Sequence, residues 1–149
     1  MRGYIQQVRR QLVGRADTLI GWLLMLGATA GYALTLEPTA SFWDCGEFIA
    51  VSCGLQVGHP PGAPFYQLLA HLFSLLSGGN AMAAAWCCNL LSAIAGGGTV
   101  MFLYWSAMLL PVKRFTRAEQ RLGALVGALC YLFCDTAWFS AVESEVYSL

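Results

Sequence analysis

Residues 18–36 run for nineteen positions without a charged side chain. As a helix that stretch is about 28 Å long, close to the hydrocarbon thickness of a bilayer. No other feature limits the fold as much. Arg2, Arg9, Arg10 and Arg15 precede the run, and Glu37, Asp44 and Glu47 follow it, so the run is expected to cross a membrane with its N-terminal side in the cytoplasm. A cleaved signal peptide is the competing reading, because Ala28-Thr29-Ala30 imitates a cleavage site. The apolar character continues unbroken past that point, which favours the span.

Composition points the same way. Charged residues make up 11% of the chain and hydrophobic ones 58%, whereas a soluble domain carries about a quarter charged residues. The formal net charge is zero, so the basic excess of a nucleic-acid-binding surface is absent. The other four basic residues, Lys113, Arg114, Arg117 and Arg121, fall between apolar stretches at 81–110 and 122–142. Both basic clusters belong on the cytoplasmic side, which requires an even number of crossings between them.

That parity decides how residues 37–80 are placed. Residues 65–76 are apolar but only about 18 Å long as a helix, too short to span. Residues 41–76 are therefore read as a helical hairpin on the extracytoplasmic surface. Ser41 is expected at the N-cap of its first helix, with Asp44 in a capping-box position. Pro60 and Pro61 stop that helix, Gly62 permits a turn, and Pro64 suits the first position of the next. The expected fold is an all-α integral membrane protein: a cytoplasmic basic leader over 1–17, then a membrane domain over 18–149 with three transmembrane helices near 18–36, 81–110 and 122–142 and an outer juxtamembrane hairpin within 37–80. Gly96-Gly97-Gly98 in the second span offers either a close-packing face or a bend. The chain stops at Leu149 straight after an acidic stretch, so it is expected to be the N-terminal piece of a longer protein, incomplete on its own.

Six cysteines lack zinc-type spacing. Cys87, Cys88, Cys130 and Cys134 sit in apolar runs, where a thiol behaves as a small hydrophobe. Cys45 and Cys53 are about 12 Å apart along a helix, too far to bridge. All six are read as structural.

The candidates for chemistry gather just beyond the first span. Asp44 and Glu47, spaced i, i+3, project from one helix face; one is suited to act as a general base and the other to orient a substrate or hold a metal. The alternative is that Asp44 caps the helix and Glu47 is merely solvated. His59, in the stiff His-Pro-Pro-Gly turn, is suited to donate a hydrogen bond or positive charge to a phosphate; the alternative is a loop histidine packed on the hairpin. His71, on the apolar second hairpin helix, is read as an interfacial anchor. Asp135 falls in the outer half of the third span, where a carboxylate is costly unless it faces protein or a wet cavity. Glu143 and Glu145 follow just outside.

Two blocks carry a resemblance. Pro38-Thr39-Ala40-Ser41-Phe42-Trp43-Asp44-Cys45-Gly46-Glu47-Phe48-Ile49-Ala50, continued by Leu55-Gln56-Val57-Gly58-His59-Pro60-Pro61-Gly62-Ala63-Pro64, and later Asp135-Thr136-Ala137-Trp138-Phe139-Ser140-Ala141-Val142-Glu143-Ser144-Glu145-Val146-Tyr147, resemble a family of multi-spanning membrane proteins formerly of unknown function. That family is widespread in bacteria and includes the animal transmembrane protein O-mannosyltransferase. The resemblance implies the C-type glycosyltransferase superfamily, whose members carry an acidic residue in the first extracytoplasmic loop and use sugars linked to polyprenyl phosphate.

On that resemblance, Asp44 matches the loop aspartate and is the general base for a Ser or Thr hydroxyl of a protein acceptor, supported by Glu47. His59 would meet the lipid phosphate, with Asp135, Glu143 and Glu145 lining the same outer cavity as substrate-binding residues. No metal ligand is assigned, and whether a divalent metal takes part is left open. The implied partners are a polyprenyl-phosphate-linked sugar donor, a protein acceptor and membrane lipids, and the implied setting is a multi-pass protein of the bacterial inner membrane with its site facing the periplasm. A transporter or lipid-binding scaffold without catalysis is the alternative; it would spread polar residues through the bilayer depth, whereas here only Asp135 falls within a span. A non-catalytic assembly subunit is a third reading.

Overall fold

A computed structural model describes residues 14–60, 62–112 and 114–148. Arg2, Arg9 and Arg10 of the basic leader, Pro61 of the turn, and Lys113 lie outside the described residues. Among the described residues every regular element is helical: α1 (Arg15–Leu34), α2 (Cys45–Gly54), α3 (Pro64–Ser74), α4 (Ala81–Leu109), α5 (Arg117–Leu132) and α6 (Asp135–Val142), with single 3-10 turns at Leu75–Ser77 and Val146–Ser148.

Two of these helices, α1 and α4, are each long and apolar enough to cross a membrane. They pack along one another through glycines. A side chain at Gly97 would collide with the Thr29 hydroxyl and come within 2.9 Å of the Met25 carbonyl oxygen, and one at Gly96 would lie 2.9 Å from the Ala141 methyl; at Gly98 nothing stands within 4 Å. Gly96 and Gly97 thus form a packing face, and α4 continues unbroken through the triplet. Ala28, Tyr32, Ala93, Val100, Tyr104 and Met108 fill the core between the two helices, and Ala124 and Ala128 bring α5 onto the same core.

Residues 122–142, read from the sequence as one span, form two helices instead. The α5 and α6 axes differ by 61° across a break at Phe133 and Cys134, and only together are they long and apolar enough to enter a membrane, as a broken span or a re-entrant loop. A break inside a membrane frees backbone carbonyls that need partners. Here the Tyr32 hydroxyl donates to the Leu132 carbonyl at 3.1 Å, and the Trp138 indole N–H donates to Thr35 Oγ1 at 3.1 Å. Both partners come from α1 or its end, about a hundred residues away in sequence.

The bundle has a basic end and an acidic end. At the basic end the buried Asp17 carboxylate accepts from Arg117 Nη2 at 3.0 Å and from Arg121 Nε, and the Trp105 indole donates to the Asp17 carbonyl at 3.2 Å. The starts of α1 and α5 therefore sit beside the end of α4. At the acidic end the Glu37 amide donates to the Val142 carbonyl at 3.0 Å, joining the exit of α1 to the exit of α6.

The α2–α3 hairpin packs at the acidic end on the first half of α4, through Cys45, Phe48, Ile49, Tyr66 and Ala70 against Ala85, Cys88 and Leu91. Pro64 occupies the first turn of α3. His71, read as an interfacial anchor, instead clasps the hairpin, its Nδ1 lying 2.8 Å from the Ser52 carbonyl. The first hairpin helix also starts later than its capping pattern suggests. Trp43 has φ of 60°, a conformation foreign to a helix, and Ser41, the expected cap, spends its hydroxyl on Glu143. Asp44 becomes the N-cap position, without a side-chain cap bond. The helix ends at Gly54, ahead of the prolines, with Leu55 left-handed at φ 47°. All six cysteines are free thiols, with Cys45, Cys87 and Cys88 buried.

Candidate active site

Asp44, at the mouth of α2, is exposed, and Glu47 stands one turn further on. His59 comes back over that turn from the loop after α2. Its backbone N–H donates to Glu47 Oε1 at 2.8 Å, and its Nδ1 lies 3.0 Å from Glu47 Oε2. Ligand-type atoms of Asp44, Glu47 and His59 all fall within 4.8 Å of one another, so three residues singled out by spacing form one cluster.

Each member has a distinct electrostatic position. Hydrogen bonds from the His59 backbone and ring hold the Glu47 carboxyl below its ordinary range. The same carboxylate, with a smaller contribution from Asp44, raises the His59 imidazole above its ordinary value. An Nδ1–H directed at Glu47 leaves Nε2 as the outward donor when the ring is protonated. The backbone N–H bond fixes the ring's attachment as well as its charge. Glu47 is thus occupied with His59, while Asp44 remains open to solvent.

Asp44 and His59 open onto a cleft of about 220 Å³, shared with Glu145, Phe48, Val146 and Tyr147. Burial, followed by the nearby Asp44 charge, raises the Glu145 carboxyl. Two other candidates are elsewhere. Glu143 is 2% exposed, accepts from the Ser41 hydroxyl, and does not line the cleft. Burial, with Glu145 and Glu37 nearby, pushes its carboxyl up to about 7. Asp135 is exposed in the first turn of α6, at the elbow between α5 and α6, and is likewise not among the cleft's lining residues.

Two carboxylates and an imidazole suit a divalent ion in donor type and number. Both Glu47 oxygens already face His59 donors, so an ion here would compete with those hydrogen bonds and turn the ring.

Sequence reading overlooked Asn89 and Ser144. Asn89, fully buried on α4, donates through Nδ2 to the carbonyls of Glu37 at 2.7 Å and Thr39 at 3.0 Å, and its Oδ1 accepts from the Ser144 hydroxyl at 2.6 Å. A lone amide within a long apolar helix was the available signal.

The family described as "Protein O-mannosyl-transferase TMEM260 N-terminal domain" matches residues 44–149, from the candidate base to the end of the chain. The protein O-mannosyl-transferase tmem260 of Dictyostelium discoideum is 28% identical over 127 residues, covering 85% of this chain and 15% of that protein. Protein O-mannosyl-transferase TMEM260 of Mus musculus is 28% identical over 137 residues, covering 91% of this chain and 18% of that protein. The chain therefore spans less than a fifth of the length of these relatives. Both are eukaryotic, so they lend no support to a bacterial inner membrane, although the apolar helices and the relatives agree on a membrane protein. No solved structure matches. With the match covering most of its length, the chain belongs to the family of TMEM260 protein O-mannosyl-transferase N-terminal domains.

Proposed function

We propose that this chain forms the N-terminal part of a membrane-embedded O-mannosyltransferase of the C-type superfamily, which moves a mannosyl group from a polyprenyl-phosphate carrier to Ser or Thr hydroxyls of protein acceptors on the extracytoplasmic side. The observation that carries this reading is the joint placement of Asp44 and His59 on one cleft at the acidic end, within the segment the family shares.

Asp44, open to solvent, takes the proton of the acceptor hydroxyl as its oxygen attacks the anomeric carbon. The bond from that carbon to the phosphate oxygen breaks, and the carrier phosphate leaves with the electron pair. Negative charge grows on the departing phosphate, and a donor fixed in advance lowers the barrier. His59 is that donor, through Nε2–H, and Glu47 holds the ring in place and favours its charged form. Glu145, its carboxyl raised by burial and by Asp44, is suited to donate to a sugar hydroxyl when protonated. The transporter alternative gains little: α4 buries Asn89 and Ser92 in its first half and Tyr104 further along, but it carries no charged side chain between the two ends.

The test is transfer of labelled mannose to a Ser/Thr peptide by the full-length protein in membranes, with polyprenyl-phosphate mannose and nucleotide-linked mannose offered in parallel. Transfer from the lipid-linked donor is expected. Absence of transfer from every donor in a panel of lipid-linked sugars would overturn the proposal, and transfer only from the nucleotide-linked donor would correct the donor class.

A further inference from the structure

The two carboxylates on the cleft, Asp44 and Glu145, lie 101 positions apart in sequence, and neither is on a long helix. Asp44 ends a connecting segment that begins after α1. Glu145 is in the short link between α6 and the last 3-10 turn. Segments of this kind have little rigidity of their own, so something must set the distance between the two acids.

Asn89 is placed to do so. Its amide can make two donor and two acceptor interactions. Both donors go to the segment leading into Asp44, at the Glu37 and Thr39 carbonyls. Its oxygen accepts from Ser144, the residue directly before Glu145, and the thiol of Cys45, the residue directly after Asp44, lies 4.0 Å from the same oxygen. The amide's orientation is fixed by its partners, because two carbonyl oxygens can only accept. One turn along α4, the Ser92 hydroxyl takes the Glu145 amide N–H at 3.4 Å. A single buried side chain on the most deeply packed helix of the bundle thus touches residues on both sides of the cleft.

We infer that Asn89 is a positioning residue that sets the spacing of Asp44 and Glu145 across the cleft. The consequence for turnover rests on the transferase reading above, whereas the spacing itself does not. Asn89→Ala removes both donors and the acceptor, so the Glu37–Thr39 segment and Ser144 each lose their anchor on α4. Ser144→Ala removes only the Asn89 bond on the Glu145 side, where the Ser92 contact to the Glu145 N–H remains. Misplacement of a reacting group by about 1 Å costs on the order of 100-fold in rate, so the turnover effect of the first variant is expected between about 10-fold and 100-fold.

The experiment compares wild type, Asn89→Ala, Ser144→Ala and the double variant of the full-length protein in lipid nanodiscs, by hydrogen-exchange mass spectrometry and by mannosyl transfer. The inference predicts faster amide exchange in 36–48 and 143–147 for Asn89→Ala, with exchange around Asp17 and Arg121 unchanged. It predicts kcat per folded molecule lowered with the acceptor KM little altered, a smaller loss for Ser144→Ala, and a double variant no worse than Asn89→Ala. Unchanged exchange in both segments would overturn it. So would a uniform rise in exchange over the whole bundle with kcat falling only in proportion to the folded fraction, which marks Asn89 as a general stabiliser. Should Asn89→Ala fail to fold, Ser144→Ala alone decides: exchange confined to 143–147 with a fall in kcat supports the inference, and no change in either overturns it. Local exchange without transfer by the wild type would uphold the spacing role and remove the transferase reading.

Discussion

Each end of this bundle pairs an acid with a cation, and the two pairs are built to opposite ends. At the basic end the Asp17 side chain is 1% exposed and is gripped by two arginines, with the Trp105 indole on its backbone. At the acidic end Glu47 and His59 are 39% and 47% exposed, and the neighbouring Asp44 opens to a cleft. A carboxylate out of water must have its partners permanently in place, so the first arrangement locks helices together. Charges that keep contact with water can exchange partners at little cost, so the second suits the substrate contact proposed for it. Pairing of charge therefore does not tell the two ends apart; solvent access and an adjoining cleft do, and they mark the acidic end as the candidate site.

The sharpest way to break the comparison is to remove the lock. Asp17→Ala leaves two guanidiniums facing one another, and the expected loss is roughly 2 kcal/mol of stability, below the cost for a fully buried pair because both arginines retain some solvent access. Thermal unfolding of the full-length protein in detergent checks this, and turnover per folded molecule should hold. A drop in turnover without loss of stability would show that the basic end takes part in the chemistry.

A control between the two ends has a comparable effect. Gly97→Ala forces a methyl against Thr29 and the Met25 carbonyl, an overpacking expected to cost about 1–3 kcal/mol, while Gly98→Ala, with open space around it, should be close to neutral. Equal unfolding temperatures for the two variants would contradict the close approach of α1 and α4.

The smallest expected effect sharpens the acidic end. Glu47 raises His59, so the imidazole stays cationic to a higher pH than a free histidine. If transfer needs that cation, activity falls as pH rises through the His59 pKa. Glu47→Gln removes the raising charge, lowers that pKa towards its ordinary value, and should move the alkaline limb of the transfer profile to lower pH. The stability window has two edges: the pair's contribution is complete between the unfolded Glu47 and unfolded His59 values, fades as pH climbs through the raised His59 pKa, and is lost as pH falls through the lowered Glu47 one. An alkaline limb that stays where it is in Glu47→Gln would detach His59 from the leaving phosphate.

Much of this organisation was legible in the sequence because it depends on local properties. Charge-free length marks α1 and α4, and proline and glycine punctuation separates α2 from α3. The i, i+3 spacing of Asp44 and Glu47 and the stiff turn at His59 drew attention to the three residues that the structure clusters. What was not legible depends on distant partners. Ser41 looks like a helix cap until Glu143, 102 positions on, takes its hydroxyl. The 122–142 stretch reads as one helix because nothing local announces that Tyr32 will satisfy a carbonyl at Leu132. Asp17 looks like the edge of an apolar run, since its arginines lie at least 100 positions away. Glu143 and Glu145 appear equivalent in sequence, and only packing buries the first and leaves the second on the cleft.

The central claim is that Asp44 is the base of a mannosyl transfer and that the open acidic end, rather than the locked basic end, is where chemistry occurs. The most direct measurement is lipid-linked mannosyl transfer by full-length Asp44→Asn beside wild type, at matched expression and with folding checked by thermal unfolding. Loss of a positioned general base should lower turnover by about 100-fold or more, with the unfolding temperature unchanged because the Asp44 side chain makes no cap bond. Wild-type turnover by a well-folded Asp44→Asn protein would contradict the account.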